Sequence, residues 1–204
     1  MRIAQCALVL PLFFSVSYLG CSNTYLFHIN GAMVLEQREI EKEPVFANRS
    51  AGAKALLRGH YVGPGNNLVI LIRRFDPGSP LAIDDETFEK LTIEINKANI
   101  GTPIDANSSE MKISYSTGAA AFVAKGHGVH STLVSGHAVI RENNKGKLKV
   151  KLNLLIKTEP AGSFPFEGRT VRIDEEYTSH EISIEDLTPW LGKPSDSIAE
   201  EVYP

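Results

Sequence analysis

Three of the chain's six histidines, His127, His130 and His137, fall in the stretch KGHGVHSTLVSGHAVI, residues 125–140. Histidine is the commonest metal ligand and the usual general base near neutral pH, so the stretch raises a question of chemistry. A metal needs its ligands within a few Å of one centre. His127 and His130 meet that demand if Gly126 and Gly128 form a turn, which makes them the candidate ligand or metal pair. A third ligand would have to come from elsewhere, such as His60 or His180. His137 follows His130 by seven residues. On a regular strand the two project from opposite faces and stand roughly 23 Å apart, so they share no site.

Other reactive patterns are weaker. Asp84-Asp85-Glu86 and Glu175-Glu176 are adjacent carboxylates. Neighbours on a strand point to opposite faces, so these read as solvated loop charge. VHSTLVSGH pairs serine with histidine, but no acid partner is indicated for a triad. The chain contains no G-x-S-x-G elbow, phosphate-binding loop or H-E-x-x-H. Both cysteines, Cys6 and Cys21, lie near the start, which leaves no cysteine nucleophile in the body. No catalytic residue and no cofactor are expected. The net charge of −3 likewise supplies no drive toward nucleic acid.

Charge is unevenly spread. Arg141, Lys145, Lys147, Lys149, Lys151 and Lys157 make one segment basic, whereas residues 174–201 are acidic with Lys193 as their lone base. Arg141, Lys147, Lys149 and Lys151 are candidates for contact with an anionic surface, either lipid headgroups or an acidic partner. The plainer reading is a solvated sheet face whose lysines discourage edge pairing.

The elements that must position these residues are strands. Leu91, Ile93 and Ile95 alternate with polar residues, as do Met111, Ile113 and Tyr115, and Val171 and Ile173. The clearest case is KLKVKLNLLIK, which sets Leu148, Val150, Leu152, Leu154 and Ile156 on one face. LVILIRRF, residues 68–75, is continuously apolar until its arginines and suits a strand covered on both sides. Asn30-Gly31 is a two-residue hairpin signal, and residues 62–67, 76–80, 143–146 and 160–162 are further breakers. A three-residue loop at Asn144-Lys145-Gly146, with Gly146 left-handed, sets a register. It places Ile140 opposite Val150, Ala138 opposite Leu152 and Gly136 opposite Leu154. On the other face His137 then meets Asn153, Val139 meets Lys151 and Arg141 meets Lys149. The one helical candidate is DDETFEKL, residues 84–91. The expected fold class is mainly β: an antiparallel β-sandwich or open β-barrel with at most one or two short helices.

The N-terminus carries an address. Met1-Arg2 precedes an apolar run, ALVLPLFFSV at residues 7–16, and SYLGCSN follows. A signal segment ending in Leu-Gly-Cys resembles the signal peptide of bacterial lipoproteins, although Tyr18 stands where that family favours leucine. The resemblance implies cleavage between Gly20 and Cys21, a diacylglycerol on the Cys21 sulfur and acylation of its amino group. It also implies the cell envelope, and the periplasmic face of the outer membrane in a Gram-negative host, because Ser22 is not aspartate. Two other readings remain: an ordinary secretory cut near Ser15-Val16-Ser17, which would release the protein, and an uncleaved membrane anchor.

The chain therefore divides into a signal peptide (1–20), the lipidated cysteine with a short tether (21–23), one β-rich domain (24–188) and a flexible C-terminal tail (189–204) that Trp190 could pin. At 204 residues it has room for one well-packed domain. The expected function is a non-enzymatic binding or assembly module. Its partners would be the membrane, through the lipid on Cys21, and an envelope protein or ligand not identified by the sequence. The alternatives are a calycin-like carrier of a lipid or other apolar ligand and a metal-dependent or Ser/His hydrolase.

Overall fold

The computed structural model describes residues 23–41, 54–78, 86–119, 128–143, 145–161 and 167–194. Within them the chain forms eight strands: β1 (Asn23–Glu41), β2 (Lys54–Asp76), β3 (Thr87–Ile95), β4 (Pro103–Asp105), β5 (Met111–Ala119), β6 (Gly128–Glu142), β7 (Leu148–Ala161) and β8 (Thr170–Glu181). The only helical elements among these residues are two 3-10 turns, Lys97–Asn99 and Ile184–Asp186. The expected helix at 84–91 is not formed. From Thr87 onward that segment is β3, with Phe88 and Leu91 packed on opposite faces and residues 84–85 outside the described set. Glutamates and lysine gave a helical composition, but the alternation that buries Leu91, Ile93 and Ile95 prevailed.

Apart from β4 the strands form a ring, in the order β6-β5-β3-β2-β1-β8-β7 and back to β6. Every pairing is antiparallel except the short β1–β8 seam, where Phe27 meets His180 and His28 meets Glu181. At that seam His28 is buried, with Nδ1 2.8 Å from the Ser179 hydroxyl. Burial, with His180 nearby, lowers its proton affinity against the pull of Glu181 and so favours the neutral ring. On the other side of the ring, among the described residues, β5 and β6 pair through Ser116–His130 and Thr117–Val129, and the Tyr115 N–H donates to the Ser131 hydroxyl at 3.1 Å. Beyond that point β4 takes over the edge of β6, with Ile104 opposite Ala138. The Ala106 N–H donates to the Gly136 carbonyl at 2.9 Å and the Gly101 N–H to that of Ile140 at 2.7 Å. The architecture is thus a barrel with one loosely joined flank.

Its interior is occupied by the chain's own side chains. Ile70, Leu91, Ile93, Ile140, Val150, Leu152 and Leu154 lie in one buried cluster with Leu26 and Tyr115. The β6–β7 register is the one expected from loop geometry: His137 faces Asn153, Val139 faces Lys151, Arg141 faces Lys149, and Gly146 has φ +69°.

The outer face of β1–β3 is covered as well. Ile29, Val69 and Leu71 pack under Leu187, and Trp190 stands edge-on to Phe75 and Phe88. The adjacent Arg73 is buried and donates to the carbonyls of Trp190 at 3.1 Å and Leu191 at 2.9 Å. The boundary drawn at residue 188 thus falls inside a packed strap that reaches Gly192, whose carbonyl accepts from the Val62 N–H. Residues 195–204 lie outside the described set.

Asn30-Gly31 does not turn the chain. β1 runs straight through it, and the register with β2 shifts between Gly31 and Ala32 while residues 64–66 fold out of the opposite strand. A Cβ at Gly31 would crowd Val62 and the Gly63 carbonyl, so glycine serves close strand approach here rather than a hairpin. Glu94 fastens this corner. Its side chain is 3% exposed and accepts from the Met33 N–H and from Asn67 Nδ2, each at 2.6 Å, and from Lys112 at 3.2 Å.

Burial opposes the charge on Glu94, but the donors from Asn67, Met33 and Lys112 outweigh it and hold its pKa below the usual glutamate range. A depressed carboxylate pKa contributes stability above the unfolded-state value and loses it as pH falls through the folded one. Glu94→Gln turns an amide NH2 either on the Met33 N–H or on the Asn67 and Lys112 donors, and is expected to cost about 2 kcal/mol at neutral pH. Urea titrations of both proteins should show that gap narrowing below roughly pH 4. A gap constant with pH would refute the assignment.

Candidate functional site

Among the described residues the histidines singled out in the sequence do not converge on one centre. Gly20, Cys21 and His127 lie outside the described residues. His130 sits on β6 between Ser116 and Glu159, on the outer side of the barrel, since Met111 and Tyr115 of β5 point inward. His137 is also outward and exposed, opposite Asn153 and Asp105. The expectation that these two histidines occupy opposite faces is therefore corrected. A bulge between Ser131 and Leu133 inserts one residue and reverses the alternation. His60 and His180 are exposed on β2 and β8. Among the described residues no group of three or more His, Cys, Asp or Glu side chains is placed to hold a metal.

A polar cluster that sequence reading missed lies at the end of the barrel where β1 begins. Thr24, Arg74, Glu89 and Thr117 are consecutive cross-strand neighbours there. Arg74 donates from Nη1 to Glu89 at 3.1 Å and from Nη2 to both oxygens of Glu175, at 3.3 and 3.1 Å, and approaches the Tyr177 hydroxyl at 3.4 Å. Burial works against the Arg74 charge, but Glu89, Tyr177 and Glu175 together raise its pKa. Burial, then Glu175, pushes the Tyr177 phenol up; burial, then Glu89, does the same to Tyr115. Both phenols remain protonated at physiological pH.

Glu175 is accordingly not a loop charge. It lies on β8 and turns inward, while Glu176 turns outward to Lys149 at 3.2 Å. The alternation rule assigned these opposite faces correctly, but a carboxylate turned into a barrel needs a cation, and Arg74 stands far away in sequence. Arg74 is engaged by two carboxylates, so the cluster closes this end of the interior more than it offers a charge to a ligand.

The second arrangement is on the outside. His137, Val139, Arg141, Lys149, Lys151 and Glu176 line a groove of about 310 Å³ on the outer face of β6–β8. Three of the four cations read as a surface-contact set thus line one concavity; Lys147 sits at the turn just before β7. Among the described residues no carboxylate pairs with Arg141 or Lys151, and the Lys149–Glu176 pair is more than half exposed on both sides. Such a pair contributes little and leaves Lys149 able to answer another anion.

Among the described residues the chain is therefore a barrel with a packed interior, one end closed by an arginine–carboxylate cluster and a basic groove on its outer wall. Comparison with protein-family models, with curated proteins and with solved structures returns no match.

Proposed function

We propose that the protein is a lipid-anchored component of the bacterial cell envelope that works as a non-enzymatic binding or assembly module through its outer surface. The observation that carries this reading is the packing of the barrel. Among the described residues Ile70, Ile93, Ile140, Val150 and Leu152 are 0% exposed, so their side chains hold volume that a carrier would leave for its ligand. The working surface is then the outside of the barrel, where the groove lies. The anchor rests on the Leu-Gly-Cys motif alone, and given that anchor the position of β1 sets how near the membrane the domain lies. That strand starts at Asn23, only Ser22 beyond Cys21, so the tether spans about 7 Å and the domain would rest on the bilayer.

Metabolic labelling with a clickable fatty acid tests the anchor directly. The expected result is a labelled band for the unaltered protein and none for Cys21→Ser. Absence of label from both would dismiss lipidation, and equal label in both would place the lipid elsewhere.

A further inference from the structure

We infer that the outer face of β6–β7 is a docking surface for anionic phospholipid, with the groove at Arg141, Lys149 and Lys151 receiving a headgroup phosphate. Two independent features meet there. The first is charge. The outward residues of β6 and β7 from 133 to 157 include Arg141, Lys149, Lys151 and Lys157 and no acid, in a protein whose net charge is −3. Arg172, opposite Leu155, extends the basic stripe onto β8. Acids border the stripe at its ends and sides: Glu142 follows Arg141 at the end of β6, Glu159 lies two residues past Lys157 on the same outward face of β7, and Asp105, Asp174 and Glu176 stand on the flanking strands β4 and β8.

The second feature is apolar. Leu133 and Leu155 are 58% and 48% exposed, and only Leu35 joins them as an exposed large hydrophobic among the described residues. They are diagonal neighbours, because Leu133 faces Lys157 while Ser135 faces Leu155. A face that couples exposed leucines to lysine and arginine suits the boundary between headgroups and acyl chains. The aliphatic side chains enter, the cations meet phosphates, and each cation near an anionic surface strengthens attachment several-fold. The choice of a bilayer as occupant rests on the membrane-proximal reading above; the charge and leucine pattern does not.

Vesicle flotation of the full chain carrying Cys21→Ser separates the two ideas, since that protein has no acyl anchor. Vesicles of mixed phosphatidylcholine and phosphatidylglycerol are compared with phosphatidylcholine alone. The apolar residues 7–16 contribute equally to both, so the ratio of the two partitions is the readout. A ratio of roughly tenfold or more at low salt, falling as salt rises, is expected. Lys149→Glu with Lys151→Glu should bring it close to unity, and Leu133→Ser with Leu155→Ser should weaken binding to the mixed vesicles several-fold. All four side chains are exposed, so far-ultraviolet circular dichroism should be unchanged in these variants. A ratio near one in the starting protein overturns the inference, as does a ratio indifferent to charge reversal. Full displacement by millimolar inorganic phosphate, with the leucine pair dispensable, would mark the groove as a free-anion pocket and overturn it too.

Discussion

Trp190→Ala is expected to lower the unfolding free energy by about 4 kcal/mol, the usual cost of emptying a large aromatic site. Trp190 is 4% exposed, and its ring meets Phe75 at 6.2 Å and Phe88 at 5.7 Å, both edge-on, with the Lys90 ammonium 5.2 Å from its centre. Its backbone carbonyl also receives Arg73 Nε. Removing the indole therefore loosens the grip on the strap as well as opening a cavity, and the outer apolar layer of Ile29, Val69 and Leu71 loses its cover. Urea unfolding followed by far-ultraviolet circular dichroism measures the loss. In the unaltered protein Trp190 is the single tryptophan, so its fluorescence reports the strap alone. A change under 1 kcal/mol would mean that the strap is not part of the cooperative unit.

Gly136→Ala should be comparably damaging, at about 4 kcal/mol, for a different reason. Gly136 has φ +108°, and a Cβ there would run into the Asn153 carbonyl on β7, so steric overlap adds to backbone strain. Its own carbonyl is the acceptor for the Ala106 N–H, and a shift of this residue would release the segment that covers the open edge of β6. Gly146→Ala is the internal control. That glycine is also left-handed, at φ +69°, but nothing lies within 4 Å of the added carbon. Only the strain, about 1 kcal/mol, should appear. Equal effects of the two substitutions in thermal unfolding would eliminate the collision as the cause.

Strand content and one whole hairpin register were legible because they follow from local rules. Alternation fixed which of Leu91, Met111, Val150 and Ile173 turn inward, and a three-residue loop fixed which residues of β6 and β7 face each other. LVILIRRF was readable as doubly covered, though not what covered it: Arg73 faces the strap and Arg74 the interior, a split that two adjacent arginines do not announce. Three other features were hidden for physical reasons. The bulge at Ser131/Leu133 leaves no compositional mark, yet it reverses the faces of His130 and His137. Asn-Gly serves close approach at Gly31 as readily as a turn. The Arg74–Glu89–Glu175 cluster joins three strands whose adjacency depends on ring closure, which no local pattern encodes. The basic groove was half legible: its cations were on the page, but the concavity and the two leucines beside it arise only when β6, β7 and β8 curve together.

The seam between β1 and β8 has a kinetic consequence. The ring is sealed when the first strand of the barrel finds the last, with Phe27 beside His180, and the strap that shields the outer apolar layer is built from residues later still. A ribosome that holds back β8 and the strap therefore holds back the final closure, however early the β1–β2 ribbon forms. Such a polypeptide would stay pliable during synthesis and would lock only once β8 and the strap after it are free.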